Sequence, residues 1–277
     1  VLRPMTVENP APHDAEVAGR ISPSLTKTIL VGLVAGFLSG LFGVGGGILM
    51  VPAMVIVLHV GQRLAHGTSL AAVLPIALSS LIGYMIEGKV DWPVAALLSI
   101  GAVGGAVLGT HFLHLLPQRT VGWAFALVLI ATAIRLVFDS SDAGGRPELT
   151  ILTAIGLIVS GFLTGILAGL LGVGGGVIMV PAMVVLFSVP AVVAKGTSLA
   201  VIMPTAVMGT WRNRSKGNVD LRLAVVLGLS GVVSAYLASM IAVGLSETTS
   251  NRLFAALLAV VTVRMMWQLA RTPASHD

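Results

Sequence analysis

Two nearly identical glycine-rich stretches constrain the fold of this chain more than any other feature. The first runs from Gly43 to Met54 and the second from Gly172 to Met183, and each reads Gly-Val-Gly-Gly-Gly before an apolar segment that contains Val-Pro-Ala-Met. Each glycine inside a helix weakens it by about 1 kcal/mol relative to alanine, so a helix is predicted to break at both places. A break inside hydrocarbon persists only where protein or water satisfies the freed backbone groups. Both stretches are therefore candidate binding sites.

The composition indicates a membrane protein with several spans. Of the 277 residues, 56% are hydrophobic and 10% are charged, whereas about 25% are charged in soluble domains. The 16 basic and 11 acidic residues are scattered over short loops and tails, which argues against a nucleic-acid partner. There is no cysteine, and the six histidines lack the spacing of a metal site. No metal or other cofactor is expected.

The chain contains an internal duplication. Gly43 aligns with Gly172 at an offset of 172 − 43 = 129 residues, and the same offset aligns Gly-Thr-Ser-Leu-Ala, which begins at Gly67, with its copy at Gly196. A polar connection at residues 139–149 separates the copies. We therefore divide the chain into a polar tail at 1–24, predicted to be disordered and cytoplasmic, membrane repeats at 25–138 and 150–270, and a cytoplasmic tail at 271–277.

Each repeat is predicted to hold five helical segments in an all-α fold. Residues 25–60 are too long for one crossing of a core about 30 Å thick. They fit two helical legs that meet at the glycines, either as a pair of spans or as a re-entrant hairpin. Three further spans follow, at 66–86, 92–116 and 119–138 in the first repeat and at 196–211, 221–245 and 251–269 in the second.

The parity of the crossings decides how the repeats are oriented. Copies with an odd number of crossings insert in opposite directions, and an even number gives parallel copies. Segment lengths favour five and hence inversion. Basic residues in one loop mark it as cytoplasmic, namely Arg212, Arg214, Lys216 and Arg222. The remaining charges do not separate an inverted arrangement from a parallel one with four crossings per repeat.

The motifs resemble a known family. The paired Gly-Val-Gly-Gly-Gly and Val-Pro-Ala runs, each followed by Gly-Thr-Ser-Leu and by Gly-x-Val-Asp, are similar to those of the TauE/SafE family of sulfite exporters and anion permeases. The resemblance covers both repeats and implies transport of small sulfur-containing or carboxylated anions across a bacterial inner membrane, without catalysis and without ATP hydrolysis. It leaves the individual substrate open.

The glycine runs also indicate an anion site by their chemistry. A helix that restarts after such a run presents free N–H groups and the positive end of its dipole. Hydroxyls that begin the next helix can add donors. The alternatives are close helix packing for the glycines and helix capping for the hydroxyls. The candidate substrate-binding residues are Gly45, Gly46, Gly47, Thr68, Ser69, Gly174, Gly175, Gly176, Thr197 and Ser198.

Four basic side chains at matched positions are further candidates. His66 and Lys195 precede the two Gly-Thr-Ser segments, where a histidine suits a coupling proton and a lysine suits anion attraction. Residence in headgroup water is the alternative for both. Arg135 and Arg264 match within the last span of each repeat, where they either extend to the interface or pair with an anion.

These observations predict a secondary transporter rather than an enzyme. No nucleophile with its base and no pair of carboxylates falls inside the apolar segments, so no catalytic residue is expected. The activity that the resemblance implies is export of a sulfite or organosulfonate anion across the inner membrane, with protons as a candidate coupling ion. The alternative is an anion channel, or a permease for thiosulfate or a carboxylate, because a glycine-lined constriction also conducts. The expected partners are the anion, the lipid bilayer and protons.

Overall fold

A computed structural model describes residues 24–112, 118–138, 148–171 and 175–271. Within these ranges it leaves out the side chains of 108–112, 118–125, 128, 167–171, 264, 265 and 267–271. All but the last residue of the predicted tail at 1–24, the glycines Gly172 and Gly174, and most of the predicted linker lie outside the described residues. The described part of the chain consists of α-helices joined by turns and short loops.

Ten helices cover the described residues, five in each half of the chain, which confirms the all-α fold with five segments per repeat. The first half contains α1 (Leu25–Phe42), α2 (Gly47–Ile56), α3 (Gln62–Ile86), α4 (Trp92–Phe112) and α5 (Gln118–Phe138). The second half contains α6 (Ile151–Leu171), α7 (Gly176–Phe187), α8 (Ala191–Ser215), α9 (Leu221–Gly244) and α10 (Glu247–Arg271).

Two predicted boundaries are wrong in the same way. α3 begins at Gln62 rather than at residue 66, and α8 begins at Ala191 rather than at residue 196. Gly61 and Pro190 are the N-caps of these helices, and the residues between each cap and the Gly-Thr-Ser segment are already helical. The Gly-Thr-Ser segments therefore lie in the second turn of each helix and do not begin it.

α2 and α7 are half-helices. They contain 10 and 12 residues, which at 1.5 Å per residue gives lengths of about 15 and 18 Å, against a hydrocarbon core of about 30 Å. The chain also reverses between α1 and α2, because a Cβ atom at Gly46 would lie 2.7 Å from the carbonyl oxygen of Ala35 in α1. The first broken pair is thus a hairpin with unequal legs, in which α2 starts partway along α1 and runs back.

Small residues allow α1 to pack closely on α9, the fourth helix of the other repeat. Cβ atoms at Gly32, Gly36 and Gly40 would overlap backbone atoms of Leu227, Gly231 and Ala235, respectively. Along these successive contacts the residue numbers increase on both helices, so α1 and α9 run parallel. Close approach through small residues is the usual way in which helices associate in membranes.

The equivalent contact in the other half of the molecule joins α4 to α6. A Cβ atom at Gly161 would overlap the carbonyl group of Leu98, and one at Gly165 would overlap that of Ala102. The residue numbers of these contacts again increase along both helices, so α4 and α6 are parallel. Each repeat therefore packs its first helix on the fourth helix of the other.

These contacts establish that the repeats are inverted. α3 also runs parallel to α9, since Ala72 lies beside Gly228 and Gly83 beside Ser239. α1 and α3 therefore point the same way, and the short loop after α3 returns α4 in the opposite direction. Because α6 is parallel to α4, the first helices of the two repeats point in opposite directions, as inverted-topology repeats require.

The chain is a multi-pass membrane protein. Among the described residues, four helices are long and apolar enough to cross a membrane, namely α1, α3, α8 and α9. The largest buried apolar cluster among the described residues joins the end of α1 to α7, α8 and α10 across the boundary between the repeats, through Phe42, Val44, Val177, Met179, Ala194 and Phe254.

Candidate functional site

The two half-helices begin in the same way. Gly46 caps α2 with φ 72° and ψ −15°, and Gly175 caps α7 with φ 78° and ψ −18°. Because glycine has no side chain, neither cap accepts a hydrogen bond from the first N–H groups of its helix through a side chain. The first bonds back to the caps come from the N–H groups of Leu49 and Ile178, so the N–H groups before them lack an acceptor within their own helix. Both helix starts therefore present N–H groups that no hydrogen bond within the described part of their own helix uses.

The two starts meet near the middle of the molecule. A Cβ atom at Gly176 would lie 2.7 Å from the Cα of Val44 and 2.9 Å from the Cδ1 of Ile202. A Cβ atom at Gly45 would lie 3.1 Å from the same Ile202 atom and 3.2 Å from Cγ1 of Val73. Val73 and Ile202 are repeat mates, since 202 − 73 = 129. The pseudo-twofold axis therefore passes between the glycine runs.

The chemistry of this centre suits an anion. The positive ends of two helix dipoles, each equivalent to roughly half an elementary charge, converge among apolar side chains of α3 and α8. Free N–H groups at a helix start bind oxyanions without a side-chain cation. Gly45 and Gly176 both lie against Ile202, Gly46, Gly47 and Gly175 are next to them in the chain, and Gly174 lies outside the described residues.

The Gly-Thr-Ser threonines face loops on opposite sides of the membrane. Thr68 Oγ1 accepts a hydrogen bond from the N–H of Asp220 at 3.0 Å, and Thr197 Oγ1 accepts one from the N–H of Asp91 at 2.9 Å. The N–H donors belong to the α8–α9 and α3–α4 loops. Thr68 and Thr197 are therefore separated from each other, and each is tied to the opposite repeat.

The Gly-x-Val-Asp motif shapes these loops. Gly88 and Gly217 end α3 and α8 with φ 64° and 70°, a left-handed conformation that glycine adopts without strain. The following aspartates then cap the next helix, with Asp91 Oδ1 accepting from Val94 N and Asp220 Oδ1 accepting from Leu223 N. The motif thus has a structural role that its spacing did not reveal.

Replacing Thr197 by valine is expected to lower the free energy of unfolding by about 1–3 kcal/mol, because the buried N–H of Asp91 loses its acceptor. Thr197→Ser keeps the acceptor and serves as the control. Thermal unfolding of the purified protein measures the change, and anion binding is measured in parallel. A stable Thr197→Val variant with weakened binding would instead identify the hydroxyl as a direct ligand.

The two serines of these segments bond to backbone carbonyls. Ser198 Oγ donates to the carbonyl oxygens of Gly43 and Lys195, the latter at 2.7 Å. Ser69 Oγ donates to His66 O at 2.8 Å within its own helix. Ser198 therefore fixes the first glycine break against α8.

Lys195 is buried rather than exposed to headgroup water. Its side chain is 1% exposed, its Nζ donates to Ser250 Oγ at 2.7 Å, and it lies 5.9 and 5.2 Å from the ring centroids of Phe42 and Phe254. Hydrogen bonding and cation–π attraction offset part of the cost of its burial. Its repeat mate His66 is half-buried in α3.

Arg135 binds the end of a half-helix. Its Nη1 donates to Val185 O at 2.6 Å, and its Nη2 donates to Ser188 Oγ at 3.2 Å. A cation at this place satisfies a terminal carbonyl and complements the negative end of the α7 dipole. The side chain of its mate, Arg264, lies outside the described ones.

Two buried serines were missed at the sequence level. Ser39 and Ser80 are each 0% exposed, and their hydroxyls have no hydrogen-bond partner within the described residues. The available signal was a departure from the repeat, because their mates at the offset of 129 are Ala168 and Gly209. Among the described residues, no three His, Asp or Glu side chains lie together as a metal site would require.

Comparisons with known proteins give one family model and several related membrane proteins. A family model described as Sulfite exporter TauE/SafE matches residues 3–136 and 157–277. A probable membrane transporter, YunE of Bacillus subtilis, is 26% identical over 270 residues, which is 89% of this chain and 97% of the relative. A probable membrane transporter of Xylella fastidiosa is 27% identical over 250 residues, which is 88% of this chain and 96% of the relative. No solved structure matches the chain significantly.

Proposed function

This chain belongs to the sulfite exporter TauE/SafE family, and from this premise we propose that it is a secondary transporter of small sulfur-containing anions. The transported species belongs to the sulfite or organosulfonate class, and the direction is export across the bacterial inner membrane. Relatives that carry the name of membrane transporters support the general activity. The substrate class, the direction and the membrane are our proposal.

The convergence of two half-helix starts carries this proposal. The α2 and α7 starts meet beside Val44 and Gly176, and both are capped by glycine without a side-chain bond. Substrate sites of inverted-repeat transporters lie at the interface between repeats, where broken helices point their N-termini at anionic groups. We assign the substrate to this centre, with the N–H groups of Gly46, Gly47 and Gly176 as principal donors.

Neutral donors suit the release step of transport. A site must bind strongly enough to capture its ion and weakly enough to release it. Lys195, the buried cation nearest the first break, already bonds Ser250 and lies over two aromatic rings. In this proposal Lys195 holds the structure around the glycine break and does not serve as the principal ligand.

Proton coupling is the second part of the proposal. His66 is half-buried in α3, one residue before the segment that contacts the α8–α9 loop. Histidine is the side chain whose unperturbed pKa lies nearest the cellular pH. We therefore assign the coupling proton to His66.

The orientation follows from the basic loop. Arg212, Arg214, Lys216 and Arg222 all lie around the connection between α8 and α9. Basic loops remain in the cytoplasm. In this proposal that side is cytoplasmic, and the start of α1 and the end of α10 lie on the same side.

Transport into proteoliposomes tests the proposal. Purified protein is reconstituted, and fluxes of sulfite, a short sulfonate, thiosulfate, acetate and chloride are measured with and without a pH gradient. Saturable flux of the sulfur anions that responds to the gradient is the expected result. Flux that rises linearly with concentration would identify a channel, and preference for acetate would contradict the substrate class.

A further inference from the structure

Ser39 lies against the start of α2 with an unused hydroxyl. Its side chain is 0% exposed, and its Cβ is 3.5 Å from the Cβ position of Gly46, the residue that caps the half-helix. The hydroxyl has no hydrogen-bond partner among the described residues. A buried polar atom without a partner requires an explanation, and here it adjoins free backbone donors.

Ser80 lies on the face of α3 that covers the same break. Seven residues separate it from Val73, which contacts Gly45, and four separate it from Tyr84, whose hydroxyl donates to Gly40 O at 2.9 Å. Residues at these spacings share one face of a helix. Ser80 is thus placed between the two points at which α3 contacts the broken hairpin, and its hydroxyl also lacks a partner in the described part of the chain.

Other hydroxyls in this protein show what ordinary packing looks like. Thr164 Oγ1 donates to Ser160 O at 2.6 Å, and Thr205 Oγ1 donates to Val201 O at 3.1 Å. This bond to the carbonyl four residues earlier is the usual solution for a hydroxyl inside a helix. Ser39 and Ser80 do not use it, so helix packing alone does not account for their hydroxyls.

We propose that Ser39 and Ser80 are substrate ligands, which donate their hydroxyl hydrogens to an oxyanion bound at the start of α2. This inference rests on the proposed transport function. Both serines belong to the first repeat, and the matching positions hold Ala168 and Gly209. The anion therefore binds off the pseudo-twofold axis, closer to α2 than to α7.

The donor set specifies the chemistry of the ligand. The proposed donors come from three helices, namely hydroxyls on α1 and α3 and backbone N–H groups on α2. An anion with several acceptor oxygens, such as sulfite or a sulfonate, satisfies such donors together, whereas a single-atom anion satisfies them less well. The two serines therefore act as specificity determinants for an oxyanion over a halide.

Alanine variants at the two positions test this inference in the purified protein. For Ser39→Ala and Ser80→Ala we expect sulfite affinity to fall at least about tenfold each, the scale of a lost hydrogen bond to a charged acceptor. The melting temperature without ligand should stay the same or rise, because each substitution removes an unsatisfied buried hydroxyl. Discrimination between sulfite and chloride should decrease in both variants.

Ser79→Ala is the matched control. Ser79 is next to Ser80, but its hydroxyl donates to Val232 O at 2.7 Å, so its loss should lower the melting temperature and leave sulfite affinity near that of the unmodified protein. If Ser39→Ala does not fold, Ser39→Cys keeps the shape and replaces the hydroxyl by a weak donor.

The outcomes separate the inference from the transport function on which it rests. Unchanged sulfite affinity in both variants, with saturable binding to the unmodified protein, would overturn the role of the serines alone. Lower melting temperatures together with unchanged affinity would show that the hydroxyls are structural. An unmodified protein that binds none of sulfite, sulfonate or thiosulfate would overturn the proposed function, and the role of the serines with it.

Discussion

Replacing Gly46 by alanine is expected to abolish transport. Gly46 has φ 72°, a conformation that costs an alanine roughly 1–2 kcal/mol, and the new Cβ would lie 2.7 Å from the carbonyl oxygen of Ala35. The backbone must shift to relieve this contact, which moves the N–H groups at the start of α2. A displacement of about 1 Å at a binding site can lower a rate about 100-fold. Flux in proteoliposomes measures the loss.

Gly88→Ala is the control for this substitution. Gly88 has a similar φ of 64°, but nothing lies within 4 Å of its Cβ position. Alanine there carries the same backbone strain without a collision at the proposed site, so transport should continue. A Gly46→Ala protein that is monodisperse, as stable as the unmodified protein and fully active would remove Gly46 from the site.

Single cysteines at Lys89 and Lys216 are expected to react from opposite sides of the membrane. The two residues occupy equivalent loops of the repeats, after α3 and after α8. The directions of the helices place these loops on opposite sides of the membrane, because α1 and α3 run opposite to α6. An impermeant maleimide added to intact cells should label Lys89→Cys and leave Lys216→Cys unlabelled, since we assign the latter to the cytoplasm.

The natural chain provides a clean background for this measurement, because it contains no cysteine. Permeabilised cells serve as the control and should show labelling of both variants. Labelling of Lys216→Cys alone in intact cells would reverse the assigned orientation and keep the inversion. Equal labelling of both in intact cells would contradict the inverted repeats.

The sequence determined the class and the repeats by itself. Apolar composition identifies a membrane protein because lipid excludes charged surface, and the offset of 129 residues identifies the duplication directly. The glycine runs also placed the helix breaks correctly, at Gly43 and Gly46, because a cluster of residues without Cβ atoms cannot sustain a helix. These properties depend on neighbouring residues or on identity between distant ones, and both can be read from one chain.

How far α2 runs back along α1 at the first break was decided only by the tertiary structure. The same residues and the same local break are compatible with legs of equal length and with legs of unequal length. The contact between Gly46 and Ala35 shows unequal legs, and it depends on how α2 packs on its neighbours. The inverted orientation was favoured by segment lengths, and charges did not settle it. The parallel packing of α1 on α9 and of α4 on α6 establishes it.

The roles of individual polar side chains also depended on tertiary contacts. Thr68 and Thr197 look alike in sequence, and only the fold shows that each accepts a hydrogen bond from a loop of the other repeat. Lys195 could lie in water or in protein, and its partners Phe42, Ser250 and Phe254 come from distant parts of the chain. The burial of Ser39, and the lack of a partner for its hydroxyl within the described residues, likewise depend on the fold. Local sequence determines where a helix breaks, because that depends on backbone freedom. The partner of a polar group depends on which distant segment packs against it, and this is decided only when the two repeats assemble.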